Sequence, residues 1–343
     1  MTGADLAKEG GSIGARVGRS RSTGSAPPIE RGKYRDLLDP EIWAFIDRTN
    51  QFDPPETVAY PIAQQRAIYD AMCRAFHHGR PAGVRAQDST IKSADGALAV
   101  RRYQAGGKRP AATILYYHGG GFILGGLDSH DDVCAELCAG TGYDVLSADY
   151  RLAPEHPHPA AFDDACAVFD WAAAAFDLPM ILCGESAGGN LAAAVAHAKR
   201  RHRRHAIGQV LIYPSLGRDM SGRSYAEHGD APMLTVRDLL FYRDIRTGGR
   251  PSGPDATLAP LEDADFSGLP PTVIVTAQCD PLSSDGEAYR DWIAAAGGRA
   301  WWREEPDLVH SFLRARHLAR RAREGFAGIV AAATALGQGQ WPY

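Results

Sequence analysis

The spacing of apolar residues changes character along this chain. Near the start, "DPEIWAFIDRTNQF" and "PIAQQRAIYDAMCRAFHHG" carry apolar positions three and four apart, and in the second Ile68, Ala71, Met72, Ala75 and Phe76 share one face. That period predicts two helices. "STIKSADGALAVRRYQA" carries "DG" between two strand-like runs, which predicts a hairpin. From "ATILYY" onward a different rhythm begins. The short apolar runs "YDVLSADY", "PMILCG", "GQVLIYP", "PTVIVTA" and "AWWREE" read as strands. Between them, "SHDDVCAELCAGTG", "AAFDDACAVFDWAAAAF", "AGGNLAAAVAHAKRRH" and "SDGEAYRDWIAAAGG" read as helices, and a last helix begins near residue 311. Alternating strands and helices predict an α/β fold: a mostly parallel central sheet with helices on both faces.

Two regions fall outside that rhythm. Residues 34–85 hold the two N-terminal helices, and residues 216–265 hold one further predicted helix, "TVRDLLFYRDI". Both read as a helical cap over one edge of a core that runs from 86 to 343. Residues 1–33 are rich in Gly, Ser and Arg with almost no large apolar residue, which is the composition of a disordered tail.

Composition narrows the classes. A net charge of −4 gives no global field for nucleic acid or anionic lipid. The basic run "KRRHRR" closes a helix, where cations complement the dipole in solvent. No apolar run is long enough to span a membrane, and the N-terminus lacks a secretory apolar core. The six cysteines sit mostly in apolar surroundings without metal-ligand spacing, so they read as free thiols in a reducing, cytoplasmic compartment. The expected protein is a monomer or homodimer without nucleic-acid or membrane partners, and no metal cluster or phosphate-binding lysine loop is present to imply a cofactor.

The chemistry concentrates in three places. "GESAG" (184–188) places Ser186 between a strand and a small-residue helix. This is the strand–turn–helix elbow that holds a serine hydroxyl exposed at strained backbone angles. A serine needs a base, and the base needs an orienting carboxylate, in the chain order serine, acid, histidine. His310 follows the last strand, while His197, His202 and His205 lie in or after the helix behind Ser186, and His317 lies further along. Asp280 follows "PTVIVTAQC" at the carboxyl end of a strand, where ligand-binding groups collect. Its neighbour Asp285 reads instead as a helix cap. The assignment is therefore nucleophile Ser186, base His310 and acid Asp280. "YYHGGGFILGG" supplies the remaining part: N–H groups of Gly120 and Gly121, with that of Ala187, form the expected oxyanion hole, while His118 and Gly119 support the loop. An aromatic set, Tyr116, Tyr117, Phe122, Tyr225, Phe241 and Tyr242, is divided between pocket lining and core packing.

Taken with "HGGGFILGGLDSHD", the segments "DYRLAPEHPHPAAFDD", "GESAGGNLA", "CDPLSSDGEAY" and "HSFL" occur in order across residues 60–343. Together they resemble the hormone-sensitive-lipase-like group of α/β-hydrolases, and within it the bacterial acetyl esterases. The resemblance implies the α/β-hydrolase fold, a helical cap, and cofactor-free hydrolysis of small-molecule esters with short acyl chains. Two positions depart from it. Glu185 stands where the group usually has aspartate, and Ser284 replaces its usual acidic residue after Asp280. Glu185 is expected to be buried beside the nucleophile, and a buried carboxylate needs a partner; Tyr150 or His156 is the expected one. A ligand-binding protein without catalysis is the alternative on such a fold, but all three triad positions are kept here.

Overall fold

The computed structural model describes residues 31–93, 96–107, 109–250 and 253–343. Eight strands form one sheet in the order β1-β2-β4-β3-β5-β6-β7-β8. β1 (Val84–Ser93), β2 (Gly96–Ala105) and β4 (Asp144–Ala148) pair antiparallel in sequence. The other neighbours are parallel: β3 (Thr113–Tyr117) with β4 and β5 (Met180–Glu185), then β6 (Gly208–Ile212), β7 (Thr272–Cys279) and β8 (Ala300–Val309). Every residue of β3, β4, β5 and β6 is buried. Covered on both faces, they need continuous apolar runs rather than alternation, which is how they read in the sequence.

Helices α3 (Asp131–Thr141) and α9 (Arg320–Gly337) pack together on one side. On the other side α4 (Ala160–Ala175) packs against α5 (Ala187–Lys199), and α8 (Ser283–Ala295) covers β7 and β8. The 89–105 segment is the expected hairpin, although Asp95 of its "DG" turn lies outside the described residues. The last segment differs from expectation. Residues 312–317 form a 3-10 turn, and α9 starts only at Arg320. Of the expected tail, residues 1–30 lie outside the described residues, while Gly32–Arg35 form a 3-10 turn.

Four helices stand apart from the strand–helix rhythm: α1 (Pro40–Asn50), α2 (Ile62–Phe76), α6 (Arg223–His228) and α7 (Val236–Thr247). Asp39 caps α1 by accepting the Ile42 N–H at 2.8 Å, with Pro40 in the first turn, where a missing N–H costs nothing. A reciprocal Thr235/Asp238 box starts α7 and Gly248, at φ 64°, ends it, so its register is fixed at both ends. α6 has six residues, too short to leave a periodic signal, and was not expected. All six cysteines are free. Among the described residues no helix is long and apolar enough to cross a membrane.

Candidate active site

β5 runs straight into α5, and Ser186 occupies the turn between them at φ 54°, ψ −119°. A non-glycine residue held there is strained, and surrounding packing must enforce it. The enforcement is visible in the glycines. A Cβ on Gly184 would lie 2.2 Å from the Gly188 carbonyl oxygen, and one on Gly188 would lie 1.9 Å from that of Tyr117. The turn is therefore pressed against its own helix and against β3.

His310 immediately follows β8, and its Nε2 lies 2.9 Å from Ser186 Oγ. Its Nδ1 lies 2.7 Å from Asp280 Oδ2. Asp280 is fully buried just beyond β7, and its other oxygen accepts the Leu282 N–H at 2.9 Å. The Tyr213 ring packs on the imidazole at 4.7 Å. The structure thus brings Ser186, His310 and Asp280 into one hydrogen-bonded line. The other histidines read from the sequence lie elsewhere: His197 pairs with Asp263, and His317 with Glu136.

Gly120 and Gly121 face the same cavity as Ser186 and Ala187. Gly120 sits at φ 116°, and its carbonyl accepts from the Ile123 and Leu124 N–H groups, which closes the glycine loop into a turn. Ala187 is the first residue of α5, so its N–H has no intrahelical acceptor. The His118 ring stacks on Tyr150 at 4.3 Å, and its Nδ1 lies 2.7 Å from the Gly119 carbonyl. Burial, reinforced by neighbouring His130, pushes that imidazole down to about 3, so it is a neutral brace and not a base.

Glu185 is buried, as expected, but its expected partners are wrong. Tyr150 donates instead to the His118 carbonyl at 2.6 Å. The Glu185 carboxylate accepts from the Gly119 N–H and from His130 Nε2, the latter at 2.9 Å. Burial would raise this carboxyl, but the His130 bond and the Arg314 charge outweigh it and hold the group near 2. His130 comes from the turn before α3 and Arg314 from the segment after His310. Neither contact was visible in sequence, because both join segments far apart in the chain. Asp285 also departs from its expected capping role. It lies within α8, where Oδ2 accepts the Leu216 and Gly217 N–H groups at 2.8 Å each and Oδ1 accepts the Tyr225 hydroxyl at 2.9 Å. It braces the start of the 216–265 segment, and burial raises its carboxyl to about 6 despite those three donors.

The cavity over Ser186 encloses about 160 Å³. Thr49 from the end of α1, Asp53 from the turn after it, Tyr69 and Met72 from α2, and Tyr225 and Tyr242 from α6 and α7 form part of its wall. Of the divided aromatic set, Phe122, Tyr225 and Tyr242 line it, while Tyr116 and Tyr117 belong to the buried strand β3. Among the described residues no cluster of metal-ligating side chains is found.

A family described by the alpha/beta hydrolase fold matches residues 114–314. A carboxylic ester hydrolase of Mycobacterium tuberculosis, LipN, is 35% identical over 87% of this chain and 82% of its own. An ethyl acetate hydrolase of Pseudomonas putida is 33% identical over 71% of this chain and 81% of its own. Among solved structures, a hyperthermophilic esterase from Pyrobaculum calidifontis superposes with a TM-score of 0.79 at 30% identity, covering 87% of this chain and 98% of that one.

Proposed function

We propose a mechanism and a substrate range for this chain, which belongs to the hormone-sensitive-lipase-like α/β-hydrolases and is a carboxylic ester hydrolase. Ser186 attacks the ester carbonyl while His310 Nε2 takes its proton. Asp280 holds the imidazole in the tautomer that can accept, and stabilises the cation that forms. The N–H groups of Gly120, Gly121 and Ala187 receive the tetrahedral oxyanion, each such donor being worth about 3 kcal/mol in the transition state. His310 then protonates the leaving alcohol, and a water activated by the same nitrogen releases the acid. No cofactor enters the sequence. The observation that carries this reading is the Asp280–His310–Ser186 line, with separations of 2.7 and 2.9 Å.

Short acyl chains follow from the size of the cavity. Its 160 Å³ is small beside the roughly 300–1,000 Å³ of clefts that take drug-sized ligands. Residues 34–85 and 216–265 act as the cap, a role supported by the α1, α2, α6 and α7 residues in the cavity wall. Free thiols support a reducing, cytoplasmic setting.

Ser186→Ala is expected to abolish hydrolysis of 4-nitrophenyl acetate while the circular dichroism and melting profile stay native. Turnover comparable to wild type by a folded variant would end the nucleophile assignment. Across acetyl, butyryl and octanoyl esters, kcat/KM should fall with length. A maximum at octanoyl would refute the short-chain reading.

A further inference from the structure

Helix α7 turns one stripe of side chains, Leu239, Tyr242, Arg243 and Arg246, into the cavity above Ser186. Their spacing of three, one and three residues places them on a single face. Tyr242 lies directly over the oxyanion loop, since a Cβ on Gly121 would sit 2.5 Å from its ring. The two arginines follow on the same stripe, and their charges are not matched by any bonded acid.

Arg246 is buried at 6% exposure. Its guanidinium lies 3.4 Å from the centre of the Phe122 ring and donates to two neutral acceptors, the Leu258 carbonyl at 2.9 Å and Asn190 Oδ1 at 3.2 Å. Among the described residues no carboxylate lies within ion-pair distance of it. Burial lowers this guanidinium to about 9, with Tyr150 and Asp255 the neighbours that oppose the shift. Arg243 is exposed, and among the described residues its guanidinium has no ion pair or hydrogen bond. It lines both the cavity and the adjoining outer groove, so it stands at the junction between them.

The other arginines of the wall are different. Arg218 is held by Glu262 at 2.6 Å, and Arg314 lies in the field of Glu185. Of the two acids in the wall, Glu185 is committed to Gly119 and His130, and burial raises the Asp53 carboxyl above its usual value, which favours its uncharged form. An unmatched buried cation is costly to keep, and a guanidinium is shaped to hold a carboxylate. A counter-charge arriving with the substrate would offset that cost.

We propose that this site prefers esters that carry a carboxylate on their acid or alcohol half, paired by Arg243 at the mouth and drawn inward by the charge of Arg246. The inference rests on the ester-hydrolase reading of Ser186. It names the substrate class of that site and makes α7 the element that selects it.

The test compares matched substrates on the same enzyme preparation, so the ratio does not depend on the fraction of folded protein. Monoethyl succinate against ethyl butyrate replaces a terminal methyl of the acyl chain by a carboxylate. 4-Acetoxybenzoate against phenyl acetate adds the carboxylate to the leaving group. Acid release in a pH-stat gives kcat/KM for each. Wild type is expected to prefer the anionic member of at least one pair by about tenfold, the usual reach of a charged hydrogen bond, and the arm in which it does identifies the half that carries the charge. Arg243→Gln should remove most of that preference, and Arg243→Glu should reverse it. High salt should also reduce it, since exposed pairs are screened. Because Arg243 is exposed, its variants keep the test alive if Arg246→Gln fails to fold. Preference for the neutral ester in both arms, or a ratio unmoved by Arg243→Glu, overturns the inference and leaves the hydrolase reading standing. Turnover of none of the four esters by wild type overturns both.

Discussion

Replacing Asp285 by asparagine removes one titration from the interior while keeping the side-chain shape. The folded carboxyl sits at about 6, because burial outweighs the Leu216, Gly217 and Tyr225 donors. An aspartate in the unfolded chain titrates near ~3.9. The folded state therefore holds this proton more tightly than the unfolded chain does. Its contribution to stability is fully present below the unfolded value and is lost as pH rises through about 6. A gap of roughly two units corresponds to about 3 kcal/mol over the whole window, of which about 2 kcal/mol falls between about pH 4.5 and about pH 7.5. Urea unfolding of wild type and Asp285→Asn at both pH values measures it. Subtracting one protein's change from the other's cancels every titration they share. Wild type should lose about 2 kcal/mol more than the variant on going to the higher pH. Equal changes, within about 0.5 kcal/mol, would refute the argument that a raised carboxyl strains the brace under the 216–265 segment.

Two further outcomes follow from the close contacts around Ser186. Glu185→Gln keeps an oxygen for the Gly119 N–H and His130 Nε2, which both end on Oε1, but removes the charge facing Arg314; loss of one buried partner charge costs about 3 kcal/mol or more, and kcat on 4-nitrophenyl acetate should fall at least about tenfold as the charge that anchors the oxyanion loop is lost. Native stability with kcat within about twofold of wild type, by denaturation and steady-state kinetics, would contradict this. Gly188→Ala places a methyl 1.9 Å from the Tyr117 carbonyl oxygen and 2.6 Å from that of His118, both backbone atoms that cannot swing aside. It should unfold at least ~10 °C below wild type or fail to accumulate, and a melt within about 2 °C of wild type would show that β3 can move away.

The sheet was legible because its central strands are buried on both faces and so carry unbroken apolar runs. The Ser186, Asp280 and His310 positions were legible because each stands at the carboxyl end of a strand that could be read. What escaped the reading depends on approach in space. His130 meets Glu185 only because α3 packs beside the elbow, and nothing in "SHDD" announces a partner in "GESAG". Asp285 looked like a cap because it lies near a helix start; the helix begins two residues earlier, at Ser283, which turns its carboxylate toward the Leu216 backbone. The reading of residues 34–85 as part of a cap did not say which residues of α1 and α2 reach the cavity wall. A helical stripe shows which face is covered, not what covers it.

Glu185 immediately precedes the nucleophile, and Gly119 immediately precedes the first expected oxyanion donor. One carboxylate joins them. The end of β5 and the start of the glycine loop are therefore fixed to each other by a side chain as well as by the sheet. The gap between the attacking oxygen and the groups expected to receive the charge is spanned by this carboxylate in addition to the β3–β5 ladder, which ends at Tyr117 and Gly184.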